Sequence, residues 1–92
     1  MIRTSNNKAS YYVENQIPFK GSNTFGEWNH NLYIVYSYGK HFPMYLFDGL
    51  HWYGNSDKFS SSTSKQQTQL HPNKTIIWLT TDELKRIINE RG

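Results

Sequence analysis

Asn31-Leu-Tyr-Ile-Val-Tyr-Ser-Tyr-Gly-Lys-His-Phe-Pro-Met-Tyr-Leu-Phe-Asp-Gly-Leu-His-Trp-Tyr53 is the stretch on which the fold turns. Residues 31–38 alternate cleanly. Leu32, Ile34 and Tyr36 fall on one face, and Tyr33, Val35 and Ser37 fall on the other. β-Branched and aromatic side chains dominate both faces, which is the pattern of a central strand. Gly39 can end that strand through a positive φ, and Pro43 limits how the next one pairs. Residues 43–47 read as a second strand. Asp48-Gly49 is a hairpin signal, and His51-Trp-Tyr53 returns as a third. A three-strand antiparallel meander over residues 31–53 follows.

Working outward, the first ten residues are polar and aperiodic, so a flexible N-terminus over 1–10 is expected before one domain spanning 11–92. Residues 11–14 suggest a short strand or edge segment. Residues 16–29 carry Pro18, Gly21 and Gly26 and read as a loop anchored by Phe19, Phe25 and Trp28. Residues 62–70 fit a short polar helix ended by Pro72, although nearby Ser hydroxyls compete for its backbone. Residues 75–79 read as a further strand. Thr80 and Glu83 then match a capping box, and Leu84, Ile87 and Ile88 form the apolar stripe of a C-terminal helix. The expected fold class is α+β: a small antiparallel sheet of three to five strands, with the terminal helix packed on one face.

Composition narrows the functional classes. The chain has 92 residues, and a domain that small has a limited core. Phe, Tyr and Trp make up 16% of it, which serves a small core and equally serves an aromatic contact face. With no cysteine, disulfides and thiolate metal sites are excluded. His30, His41, His51 and His71 show no spacing that puts two ligands on one face of an element, so neither a metal nor a cofactor is expected. No apolar stretch approaches membrane-spanning length, so a soluble, cytoplasmic protein without membrane contact is expected. The net charge is +3, and Lys40, Lys58, Lys65 and Lys74 lie in a middle region poor in acids. Such a region attracts phosphate or is simply solvated.

The residues able to carry chemistry concentrate in two pieces. Tyr38 ends the first strand with Lys40, His41 and Phe42 just after it, and Asn55, Asp57, Lys58, Thr63, Ser64, Lys65 and Gln67 follow the third. His41 and Asp57 with a nearby hydroxyl supply triad ingredients, but there is no nucleophile elbow, paired carboxylate or phosphate loop around them. Catalysis is therefore not expected, nor is a small-molecule substrate. Binding fits better. Period-2 geometry would bring some rings of the meander, Trp52 and Tyr53 among them, to solvent, beside a rim of Lys58, Ser64, Lys65 and Gln67.

The pattern Tyr36-Ser-Tyr-Gly-x-His-Phe-Pro43, Trp52-Tyr-x-Asn55-x-Asp57-Lys58 and Thr63-Ser-Lys65-x-Gln67 resembles a family of small uncharacterised proteins of phages, plasmids and bacterial mobile elements. That family often carries His where Gln66 stands here. The resemblance implies a context rather than a mechanism: compact mobile-element proteins frequently bind and block host machinery. The function expected is a non-enzymatic, anti-CRISPR-type inhibitor that binds the protein or guide-RNA surface of a host ribonucleoprotein. The alternatives are a protein that binds single-stranded DNA or RNA, and a small hydrolase or nuclease using His41 and Asp57.

Overall fold

Alternation in residues 31–38 builds the centre of a wider sheet than the sequence announces. A computed structural model describes residues 2–21, 23–39, 42–57, 67–68, 70–72 and 74–91. Its strands are β1 (Ile2–Arg3), β2 (Phe19–Lys20), β3 (Thr24–Asn29), β4 (Leu32–Ser37), β5 (Pro43–Phe47), β6 (Trp52–Asn55) and β7 (Ile76–Leu79). The helices are α1 (Asn6–Glu14) and α2 (Thr81–Arg91). The strands lie in one sheet in sequence order, from β1 at one edge to β7 at the other. Pairs from β2 to β6 are antiparallel, whereas β1 with β2 and β6 with β7 are parallel. The expected antiparallel sheet of three to five strands is thus corrected to a seven-stranded mixed sheet, still of the α+β class.

Parallel neighbours need a crossover, and the two crossovers cover one face. The first is α1, which buries Ala9 and Val13, one helical turn apart, against Phe19, Tyr33 and Val35. The second runs from β6 to β7 and brings Leu70 onto the same face, beside Tyr45 and Met44. On the opposite face α2 lays Leu84, Ile87 and Ile88 over Leu32, Ile34, Tyr36 and Leu46. Both faces are therefore covered over the central strands, and every residue of β4 is buried.

Residues 11–14, read as a strand or edge, instead finish α1. Their Tyr-Tyr-Val run favours strands locally, but burying Ala9 with Val13 overrides that weak preference. The helix stops in a Schellman arrangement: Gln16 takes φ +53°, its N–H donates to the Val13 carbonyl, and the Ile17 N–H donates to the Tyr12 carbonyl. The loop expected over residues 16–29 is largely β2 and β3. Gly26 lies within β3 because the Phe19 ring and the Tyr33 hydroxyl pack against its backbone, where a Cβ would meet both at 2.6 Å. Of the helix expected over 62–70, residues 62–66 and 69 lie outside the described residues, and Gln67 and Thr68 are helical.

The capping box forms as the sequence indicates. The Glu83 carboxylate accepts the Thr80 N–H at 3.0 Å, and Thr80 Oγ1 accepts the Glu83 N–H at 3.3 Å. Among the described residues no helix is long and apolar enough to cross a membrane.

Candidate functional site

The antiparallel meander places the end of β4, the start of β5 and the end of β6 at one end of the sheet, here called the upper end. Because β7 runs parallel to β6, it finishes there too, and α2 starts there. Topology therefore gathers Tyr38, Phe42, Asn55, Asp57 and Gln67 from distant sequence positions into one region. Lys40, His41, Lys58, Thr63, Ser64 and Lys65 lie outside the described residues.

Most of the gathered polar groups face inward. Asn55 is almost fully buried, and its Nδ2 donates to the Pro43 carbonyl at 2.8 Å and to Thr81 Oγ1 at 2.9 Å. Its Oδ1 accepts the Asp57 N–H at 2.8 Å, and its carbonyl accepts Gln67 Nε2 at 2.8 Å. The Gln67 carbonyl accepts the Tyr45 hydroxyl at 2.6 Å. One chain of hydrogen bonds thus ties β5, β6, the second crossover and α2 together. A buried amide demands such partners, since leaving it unpaired costs about 1–3 kcal/mol per group.

Asp57 sits outside this layer and accepts the Thr81 N–H through Oδ2 at 2.8 Å. Hydrogen bonds from the Thr81 backbone and side chain hold its carboxyl below the usual carboxylate range. It remains an anion at neutral pH, committed to the first turn of α2. That arrangement gives no support to Asp57 as a general base.

The aromatic face expected on the meander does not form. Rings on alternate positions reach solvent only when one sheet face is open, and here both are covered. Trp52 is buried and packs against Phe47, with ring centroids 4.9 Å apart. Phe42 is likewise core. Tyr53 is half-buried, with its hydroxyl donating to Asp48 Oδ2 at 3.1 Å. Burial, then the neighbouring Asp48 carboxylate, pushes its hydroxyl pKa upward. Tyr38 alone of the proposed rings is well exposed. It adopts φ +61°, with its N–H on the Asn23 carbonyl at 2.8 Å and its hydroxyl accepting Asn23 Nδ2 at 3.1 Å. A bulky residue held in the left-handed region is strained, and such strain often marks a functional position.

A hollow of about 570 Å³ opens beside the buried network, on the α1 face near the β7 edge. Tyr45, Asn55, Ser56, Gln67, Thr68, His71 and Trp78 line it. Its shape depends on Gly54. A Cβ there would stand 2.7 Å from Ile76 Cγ2 and from Trp78 Cζ3, so only glycine lets the indole lie across β6. His71 meets the Tyr45 ring edge-on at 5.9 Å, and its carbonyl accepts Ser10 Oγ at 3.0 Å, which fixes this wall to α1. Burial pushes the Tyr45 hydroxyl pKa far upward, so it stays neutral. The hollow is apolar and aromatic on its walls and offers hydroxyls and an imidazole around them. No Lys or Arg lines it among the described residues.

Sequence reasoning placed Asn55 and Gln67 at this site and counted Tyr45 only among the rings of the meander, but missed His71 and Trp78. The signal for Trp78 was weak but present: a large indole in a strand next to Gly54 needs a smooth backbone to rest on. Among the described residues no group of His, Asp and Glu could hold a metal.

What the fold and hollow define is an α+β protein with a mixed sheet covered on both faces and a small aromatic hollow at one edge. Comparison with known proteins finds no matching family model, no similar curated protein and no similar solved structure.

Proposed function

We propose that the protein is a non-enzymatic binding protein that receives an apolar or aromatic group of a macromolecular partner in the hollow formed by Tyr45, His71 and Trp78. One observation carries this reading. Asn55, Asp57 and Gln67 are spent on internal hydrogen bonds, while Trp78, 51% exposed, stands at the edge of a concave, largely apolar surface. Half-exposed indoles beside pockets are the usual anchors of protein interfaces. The apolar and aromatic character of the lining, with Tyr45 and Trp78 in its walls, favours a protein group over a phosphate backbone. The resemblance to mobile-element proteins suggests, as partner, a host defence complex such as a CRISPR nuclease. The protein would block it through its protein or guide-RNA surface in the host cytoplasm.

Capture from host lysate, with and without nuclease treatment, tests the reading. Nuclease-resistant capture by the wild type is expected. Trp78→Ala should weaken it by about 2 kcal/mol, roughly thirtyfold, while the fold is kept. Capture abolished by nuclease would favour nucleic-acid binding, and capture indifferent to Trp78 would move the site elsewhere.

A further inference from the structure

The two edges of the sheet differ in how they are protected. The β1 edge is two residues long and carries Arg3. The β7 edge is longer, and residues 75–81 read Thr-Ile-Ile-Trp-Leu-Thr-Thr without a charge. Natural edge strands are usually blunted by charges, proline, a bulge or a covering helix. Here α2 lies over β5 and β6 instead, and Ile77 stays 42% exposed.

Hydrogen bonding fixes which backbone groups are unpaired. The Leu79 carbonyl accepts the Ser56 N–H at 2.7 Å, so Leu79 turns its backbone towards β6. Alternate residues of a strand point to opposite sides, so Ile77 also faces β6. The N–H and C=O groups of Ile76 and Trp78 therefore point outward along the edge.

We propose that β7 is the seam of a homodimer, pairing antiparallel with β7 of a second copy about a two-fold axis at Ile77. The register is self-complementary. Ile76 of each copy stands opposite Trp78 of the other, and both pairs exchange N–H···O=C bonds in both directions. Ile77 meets its own counterpart at the closely spaced, non-hydrogen-bonded position, where two exposed apolar side chains cover one another. The charges also match. Lys74 precedes the strand and Asp82 follows it, so antiparallel pairing brings the positive end of each copy to the negative end of the other. Any interface built on the same patch twice must have this property. The seam is short, so the dimer forms in a concentration-dependent way. It uses the backbone of Trp78 and leaves the indole over Gly54, so it stands or falls independently of the pocket reading and would set two hollows on one continuous sheet.

Sedimentation and amide hydrogen exchange over a concentration series test it. The mass should climb from 10.9 kDa towards twice that value. In step with it, exchange at the Ile76 and Trp78 amides should slow, while Ile77 and Leu79 stay protected at every concentration. Ile77→Lys puts two charges face to face at the axis and should hold the chain at 10.9 kDa with an unchanged circular dichroism spectrum. If that variant fails to fold, wild-type exchange alone decides. A mass that never rises overturns the proposal, and so does a dimer whose Ile76 and Trp78 amides exchange as fast as in the monomer.

Discussion

The two ends of the sheet solve the same problem with opposite chemistry. At the upper end, strands are tied to the start of α2 by the neutral amide of Asn55, buried and saturated with partners. At the lower end, the β5–β6 hairpin is tied to the end of α2 by the Asp48 carboxylate. It accepts the Leu50 and His51 N–H groups at 2.9 and 2.7 Å, the Tyr53 hydroxyl at 3.1 Å and Arg91 at 3.2 Å. The buried amide needs no desolvation of charge, whereas the Asp48 side chain, only 7% exposed, keeps its charge because four donors fill its lone pairs. The upper end should therefore be costly to disturb and insensitive to pH in its inner layer, and the lower end cheaper and acid-sensitive.

Asn55→Ala is the sharpest way to break that contrast. It strips the Pro43 carbonyl and the Asp57 N–H of their partner at a buried position, so a loss of about 3 kcal/mol is expected by urea denaturation. A loss under about 1 kcal/mol would mean that water replaces the amide and that this end is no drier than the other. Gly54→Val probes the same end from the pocket side. Its Cβ would collide with Ile76 and Trp78, and both are side chains that can yield in part. Overpacking of this kind costs about 2 kcal/mol and should also displace the indole, visible as a shift in tryptophan fluorescence. Unchanged emission would show that Trp78 does not rest on β6.

At the lower end, Gly49 adopts φ +98°, and nothing lies within 4 Å of where a Cβ would stand, so only backbone strain opposes a side chain. Gly49→Val should cost about 1–2 kcal/mol in thermal denaturation. An unaltered Tm would show that the turn relaxes to accept it.

How much of this was readable in advance follows the range of the interactions. The faces of β4 were legible because alternation is encoded within one strand, and the α2 cap was legible because Thr80 and Glu83 are three residues apart. α1 was hidden by Tyr11, Tyr12 and Val13, whose local preference opposes their tertiary packing. The parallel pairing of β7 was hidden because nothing in residues 75–79 distinguishes a hairpin partner from a crossover partner. The hollow needs Tyr45, His71 and Trp78 to converge through that pairing. The polar motif at Asn55 and Asp57 was visible as a pattern, but its inward direction depends on the start of α2 lying next to β6.

The smallest effect separates the contributions to Asp48. Partial burial alone would raise its pKa, but the His51 and Leu50 N–H groups, then the Tyr53 hydroxyl and Arg91, together hold it below the usual range. A depressed folded-state pKa contributes stability that is complete above the unfolded value, near 4, and is lost as pH falls through the folded one. Arg91 is well exposed, so Arg91→Ala should cost about 0.5 kcal/mol or less at neutral pH and should keep most of the acid limb. Asp48→Asn should remove the Asp48 share of that limb, because the backbone donors then face a group that does not titrate, while the lowered Asp57 and Glu83 carboxyls keep theirs. Urea midpoints measured from pH 7 down to about 2, the span over which a depressed carboxylate titrates, distinguish the two variants. Equal flattening by both would make the ion pair, rather than the turn, the source of acid sensitivity, and the lower end would then be held by charge alone.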